Sequence, residues 1–232
     1  MKRKSVGPDT GRDLVFVLGW GNRIHGETVE WLVEQFVDAD YRVHVFELPD
    51  HIADFEREYL EPVSSFVDTI DSYRFVGHST GGLIGAYLDG ARTATYLSPW
   101  WGIHPSTRGK VFDLLSAMPV TEPILPNQTV TAEAIGEYAT TAQLAEVPNR
   151  LSPAFLNTIQ RAQEGLPAIG EDAVVFCSLT DQIVSIDAIG EAATADQIVL
   201  YDGGHELFSS ACRNEYVDDL LAAVEHGKKG LP

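Results

Sequence analysis

The chain has 232 residues and a mass of 25.4 kDa, with 44% hydrophobic and 9% aromatic residues, enough for one globular domain that buries a full core without metal or disulfide staples. Thirty-four acidic against sixteen basic residues give a net charge of −18, which argues against nucleic acid or an anionic membrane as partner. A mean hydropathy of −0.05, with no apolar run near ~18 residues, excludes a transmembrane helix.

The elements alternate along the chain. Asp13–Leu18 is a short apolar run bounded by charge and glycine, which predicts a strand buried on both faces. Val29, Leu32, Val33 and Phe36 fall at i, i+3, i+4 and i+7, one face of a helix. Arg42–Phe46 reads as a second strand, stopped by Pro49. Helical spacing from Phe55 to Ile70 is interrupted by Pro62, which predicts a kink or a fresh start there. Tyr73–Val76 is a third strand, Leu83–Ala91 a helix and Thr93–Leu97 a fourth strand. The stretch from Trp100 to Ile169 carries no strand-like run and seven of the twelve prolines. Helices are expected around Lys110–Met118, Ala132–Leu144 and Pro153–Leu166, the last opened by Ser152 as N-cap. Ala173–Cys177 and Gln197–Tyr201 resume the strands, and a final helix carries Val217, Leu220, Leu221 and Val224. This order predicts an α/β fold with a mostly parallel sheet flanked by helices, and a helical insertion over residues 100–169.

The basic start Met1–Lys4 looks like the opening of a signal peptide, but Ser5–Asp13 supplies no apolar segment behind it. Cys177 and Cys212 have neither disulfide nor metal-ligand spacing. The expectation is an intracellular protein, read as cytoplasmic.

In an open parallel sheet, ligands bind where strands end at their carboxyl side. Phe75-Val-Gly-His-Ser-Thr-Gly-Gly82 places Ser79 in a Gly-x-Ser-x-Gly turn directly after a strand. A turn sharp enough to project the serine leaves no room for Cβ atoms at Gly77 and Gly81. The helix start beyond it favours negative charge. Asp181 follows the Ala173–Cys177 strand, and His205 follows the next on a glycine-loosened loop. A serine hydroxyl needs a base, which His205 supplies, with Asp181 fixing the imidazole tautomer. Asp202 lies within the same loop as His205 and has little room for a side-on approach; Asp172 and Asp187 fall at less suitable places. Leu18-Gly-Trp-Gly-Asn22, after the first strand, would offer an amide to a developing oxyanion. His78 reads as packing under the turn; His25 and His104 read as solvated or structural rather than as pocket residues. Neither a metal cluster nor a dinucleotide- or phosphate-binding loop is spelled out.

These motifs, in the order Ser, Asp, His and each after its own strand, resemble the α/β-hydrolases, of the compact esterase and lipase kind with a helical lid. The resemblance covers nearly the whole chain. It implies a triad of Ser79, Asp181 and His205, oxyanion donors at Trp20 and Thr80, a core of 1–99 and 170–232, and a lid over 100–169. It implies hydrolysis of a small-molecule ester or acyl compound without a cofactor. Trp100 and Trp101, at the start of the lid, would either wall the substrate pocket or anchor the lid. The sequence departs from the family pattern in two places. Leu18-Gly19 replaces the usual histidine–glycine pair, and the chain begins almost at the strand usually counted third, so about six strands are expected. An acyltransferase, a thioesterase, an amidase or a carbon–carbon bond hydrolase would use the same triad, and a non-catalytic receptor would share the fold. Scattered acids with Lys110 the one lysine between Lys4 and Lys228 resemble proteins of salt-loving organisms.

Overall fold

The computed structural model describes residues 1–105, 118–127 and 130–231. Strands β1 (Lys2–Val6), β2 (Arg12–Val17), β3 (Tyr41–Glu47), β4 (Arg74–His78) and β5 (Ala94–Leu97) precede the insertion. A two-residue pair within it, β6 (Leu125–Pro126) and β7 (Arg150–Leu151), is followed by β8 (Val174–Cys177) and β9 (Ile198–Leu200). Seven of these form one sheet in the order β1-β3-β2-β4-β5-β8-β9, parallel except for β1.

Alternate residues of each central strand bury on opposite faces, which is why the strands read as continuous apolar runs. Leu14, Phe16, Val43, Val45, Val76 and Phe176 meet helices α1 (Glu27–Asp38) and α8 (Arg213–His226). Val15, Val17, Phe75 and Val175 meet the opposite layer: α2 (Glu61–Val67), α3 (Thr80–Ala86), α6 (Pro153–Glu164) and α7 (Ile186–Ala192). Of the kink or fresh start expected at Pro62, the structure has the fresh start: a π-turn over Glu56–Leu60 passes into α2, which begins at Glu61 with the proline in its first turn. Within the insertion lie α4 (Ala132–Ile135), α5 (Thr141–Glu146) and α6. As the sequence predicts, Ser152 caps α6 by accepting from the Phe155 N–H at 3.1 Å. Phe155, Leu156 and Ile159 of α6 are buried against the core, and the Tyr87 hydroxyl donates to the Ala162 carbonyl. The helix expected around Lys110–Met118 lies outside the described residues except for Met118.

Two expectations need correction. The sheet has seven strands where about six are expected; the additional one is the basic start, which forms β1 along β3, with Lys2 opposite Glu47 and Val6 opposite Val43. Its side chains are almost all exposed, so no apolar pattern marks it. The helix after the third expected strand begins at Thr80 and stops at Ala86, earlier at both ends than its apolar spacing suggests.

Candidate functional site

β2 and β4 are neighbours from which the chain departs in opposite directions, so a crevice opens at their carboxyl ends. Ser79 sits there, 7% exposed, with φ of 50° and ψ of −114°, a strained conformation for a residue with a Cβ. Main-chain bonds hold the turn. Ser79 N–H donates to the Leu97 carbonyl at 2.9 Å, and the Ser79 carbonyl accepts from Gly82, Leu83 and Trp100. A Cβ on Gly81 would lie 2.0 Å from the Val17 carbonyl oxygen, and one on Gly77 would lie 2.6 Å from that of Gly81. The glycines are therefore steric requirements of α3 passing so close to β2.

Asp181 and His205 are brought together. His205 Nδ1 donates to Asp181 Oδ2 at 2.7 Å, and both side chains are almost wholly buried. Asp181 Oδ1 accepts from the Ile183 and Val184 N–H groups at 2.7 and 3.1 Å, which fixes the carboxylate from behind. Burial would raise the Asp181 pKa, but His205 and those two N–H groups outweigh it and hold the carboxyl below its ordinary value. Burial would likewise depress His205, yet the charge and hydrogen bond of Asp181 leave the imidazole above its ordinary value. With Nδ1 committed to Asp181, Nε2 is the ring nitrogen left for proton transfer. The Tyr201 hydroxyl donates to the Gly204 and His205 carbonyls at 2.8 and 3.1 Å, steadying the loop.

Ser79 and His205 line one cavity of about 340 Å³. Trp20, Thr80 and Trp100 line it as well, whereas Trp101 does not figure among its walls. Trp101 is buried, donates to the Gly82 carbonyl at 3.2 Å and packs edge-on against Tyr96, so it anchors the start of the insertion to the core. The Trp20 indole donates to the Asp50 carbonyl at 2.8 Å, and its ring lies 5.5 Å from Phe155, which stands 6.2 Å from Trp100. Leu125, Val130, Leu144, Val147 and Leu151 of the insertion complete an apolar wall. Thr80 opens α3, so its N–H has no acceptor within the helix. Among the described residues, no group of three or more His, Cys, Asp or Glu side chains is placed to hold a metal ion. No helix of these residues is long and apolar enough to cross a membrane.

A family model described as the alpha/beta hydrolase family matches residues 14–219. The chain belongs to the alpha/beta hydrolase family. Its fold is shared with the monoacylglycerol lipase of Paleococcus ferrophilus, at 18% identity and a TM-score of 0.78 over 96% of this chain and 97% of that one. A soluble variant of the Saccharomyces cerevisiae monoglyceride lipase, solved with a substrate analogue, gives 14% identity and 0.75 over 99% and 92%. An esterase of Exiguobacterium antarcticum gives 13% and 0.67 over 96% and 94%. No curated protein sequence matches the chain.

Three polar residues of this hydrolase-family site, Asn22, Gln143 and Glu206, have side chains to which the sequence alone assigns no role. Asn22, 5% exposed, accepts from His78 Nδ1 at 3.0 Å and donates to Glu206 Oε1 at 2.7 Å. Gln143 of α5 donates to Glu206 Oε2 at 3.0 Å. Glu206 directly follows His205 and Asn22 closes the Leu18–Asn22 loop, and those adjacencies are the signals the sequence offers. His78 lies under the turn, its ring 4.9 Å from that of His205 and 5.0 Å from Phe208. Burial and the neighbouring His205 charge keep its pKa well below the ordinary value, so it is neutral. His25 instead stands at the surface, 3.0 Å from Glu146.

Proposed function

We propose that this chain is a serine hydrolase of carboxylic esters, an esterase or small lipase. The observation that carries the reading is the buried Asp181–His205 pair opening onto the same cavity as the strained Ser79. In this scheme the Ser79 hydroxyl attacks the ester carbonyl while His205 Nε2 takes its proton. The backbone N–H groups of Trp20 and Thr80 receive the oxyanion. His205 returns the proton to the departing alcohol, leaving an acyl group on Ser79. Water, deprotonated by His205, then attacks the acyl carbonyl, and the acid leaves as the bond to Ser79 Oγ breaks and His205 returns the proton to that oxygen. No cofactor enters these steps.

The predominantly apolar walls of the cavity suit an acyl chain, with Trp20, Trp100 and Phe155 as its aromatic side. The esterase and lipase neighbours favour esters over thioesters or amides as the substrate class, and hydrolysis over acyl transfer. The insertion over 100–169 acts as the lid, the working compartment is the cytoplasm, and the acidic composition is an adaptation to concentrated salt.

The test is labelling with a fluorophosphonate probe and peptide mapping, alongside hydrolysis of p-nitrophenyl esters of increasing acyl length. Modification at Ser79, and a loss of about 10⁴-fold or more in turnover for Ser79→Ala, are expected. Retention of most activity by Ser79→Ala would sink the proposal. A ligand that co-purifies and stays uncleaved, with no labelling of folded protein at low or molar salt, would replace it with a receptor reading.

A further inference from the structure

Glu206 is 2% exposed, and its three hydrogen-bond donors are neutral. A buried carboxylate is costly unless hydrogen bonds replace its water. Here Asn22 Nδ2 reaches Oε1 at 2.7 Å, while Gln143 Nε2 and Ser209 Oγ reach Oε2 at 3.0 and 2.5 Å. The donors come from separate parts of the fold: the loop after β2, helix α5 of the insertion, and the turn that follows the His205 loop. A carboxylate can only accept, so it fixes which way the Asn22 amide faces. The amide oxygen is thereby turned to His78 Nδ1, which must carry the ring proton. That neutral ring packs against His205.

The main chain repeats the connection. His205 and Glu206 donate their N–H groups to the Ala134 and Ile135 carbonyls of α4 at 2.8 and 2.9 Å, and Tyr138 donates to the Ser209 carbonyl at 2.8 Å. Gly204 permits this approach, since a Cβ there would stand 2.5 Å from the Ile135 oxygen.

We propose that Glu206 is a positioning residue, a carboxylate clamp that sets the His205 loop, the Trp20–Asn22 loop and helix α5 as one unit. The proposal rests on the reading of Ser79, His205 and Asp181 as the hydrolytic triad. It makes the α4–α5 part of the insertion a fixed support for the base rather than a flap that swings over the pocket. The ionisable groups facing His205 are Asp181 beyond β8, Glu206 on its own loop, His78 at the end of β4 and Tyr201 after β9. Both carboxylates favour the imidazolium, against burial.

Glu206→Gln keeps the volume but removes the charge and turns an NH₂ toward one of the three donors. Its kcat on a p-nitrophenyl ester is expected to fall about tenfold to a hundredfold, as misplacement of a reacting group does, with KM within about twofold. The acid limb of kcat/KM should move to lower pH. Gln143→Ala cuts only the link to the insertion at a half-buried position, and should lower kcat in the same direction by less. Gln143→Glu sets two carboxylates against each other and should lower it by more than alanine. The His205 imidazole, titrated by NMR without substrate, should have a lower pKa in Glu206→Gln. A folded Glu206→Gln enzyme with unchanged kcat and unchanged acid limb would overturn the clamp, as would a Gln143→Glu enzyme as active as the wild type. If Glu206→Gln does not fold, the two Gln143 variants decide. If the wild type cleaves no ester, the hydrolase reading fails on its own, and the His205 titration alone judges Glu206.

Discussion

Replacing Asp181 by asparagine separates orientation from folding. The wild-type carboxylate accepts three hydrogen bonds, two from the Ile183 and Val184 amides on one oxygen and one from His205 on the other. Asparagine has one acceptor oxygen. Turning its NH₂ toward two backbone donors would leave both unsatisfied, so the oxygen stays there and the NH₂ faces His205 Nδ1. The imidazole then accepts at Nδ1 and carries its proton on Nε2, the nitrogen that must be empty to take the Ser79 proton in the proposed mechanism. The loop keeps its bonds, and a melting temperature within a few degrees of wild type is expected. Turnover should nevertheless fall by about 10⁴-fold, about 5 kcal/mol of transition-state stabilisation. Steady-state hydrolysis of a p-nitrophenyl ester, with thermal unfolding on the same sample, measures both. An Asp181→Asn enzyme within tenfold of wild type would refute the assignment, and Asp202→Asn, at an exposed site, serves as the comparison.

If His205 is the base, it must be neutral to act, and with its pKa raised, kcat/KM should climb with pH along a limb centred above the ordinary histidine value of about 6.5; a limb centred below it would contradict the dominance of Asp181 over burial. Gly81→Ala forces a Cβ onto the backbone of β2 and should destabilise by about 1–3 kcal/mol or more and disable Ser79. Gly190→Ala, in α7 with open space around it, should instead stabilise by about 0.5–1 kcal/mol, both read by denaturant titration. Screening of a net charge of −18 should raise the melting temperature from dilute buffer to molar salt, and a flat or falling trend would reject the salt adaptation.

The parallel sheet and the strand ends that carry Ser79, Asp181 and His205 were legible because each is encoded locally. Apolar runs mark strands buried on both faces, and small residues mark the one turn where backbones nearly touch. The rest depends on contacts distant in sequence. β1 has no apolar face and exists through its pairing with residues some forty positions later. Trp100 and Trp101 are adjacent and chemically identical, and only the packing of the insertion sends one to the cavity and the other beneath it. The Asn22–Glu206 contact spans 184 residues and joins two side chains of types that usually face water. The short β6–β7 pair has two residues a strand, too few to show a period.

The antiparallel strand at the sheet's margin bears on how the protein behaves in crowded solution. β3 buries Tyr41, Val43, Val45 and Phe46, and with residues 2–6 trimmed away its backbone donors and acceptors from Val43 to Glu47 would face outward along a largely apolar edge. Such an edge is a template for a second chain to pair with. Lys2, Arg3 and Lys4 lie along the outermost strand in its place, and like charges on two approaching copies repel. A truncated start would therefore first show itself as precipitation at high concentration, before any loss of turnover, and an affinity tag inserted within residues 2–6 would invite the same fate.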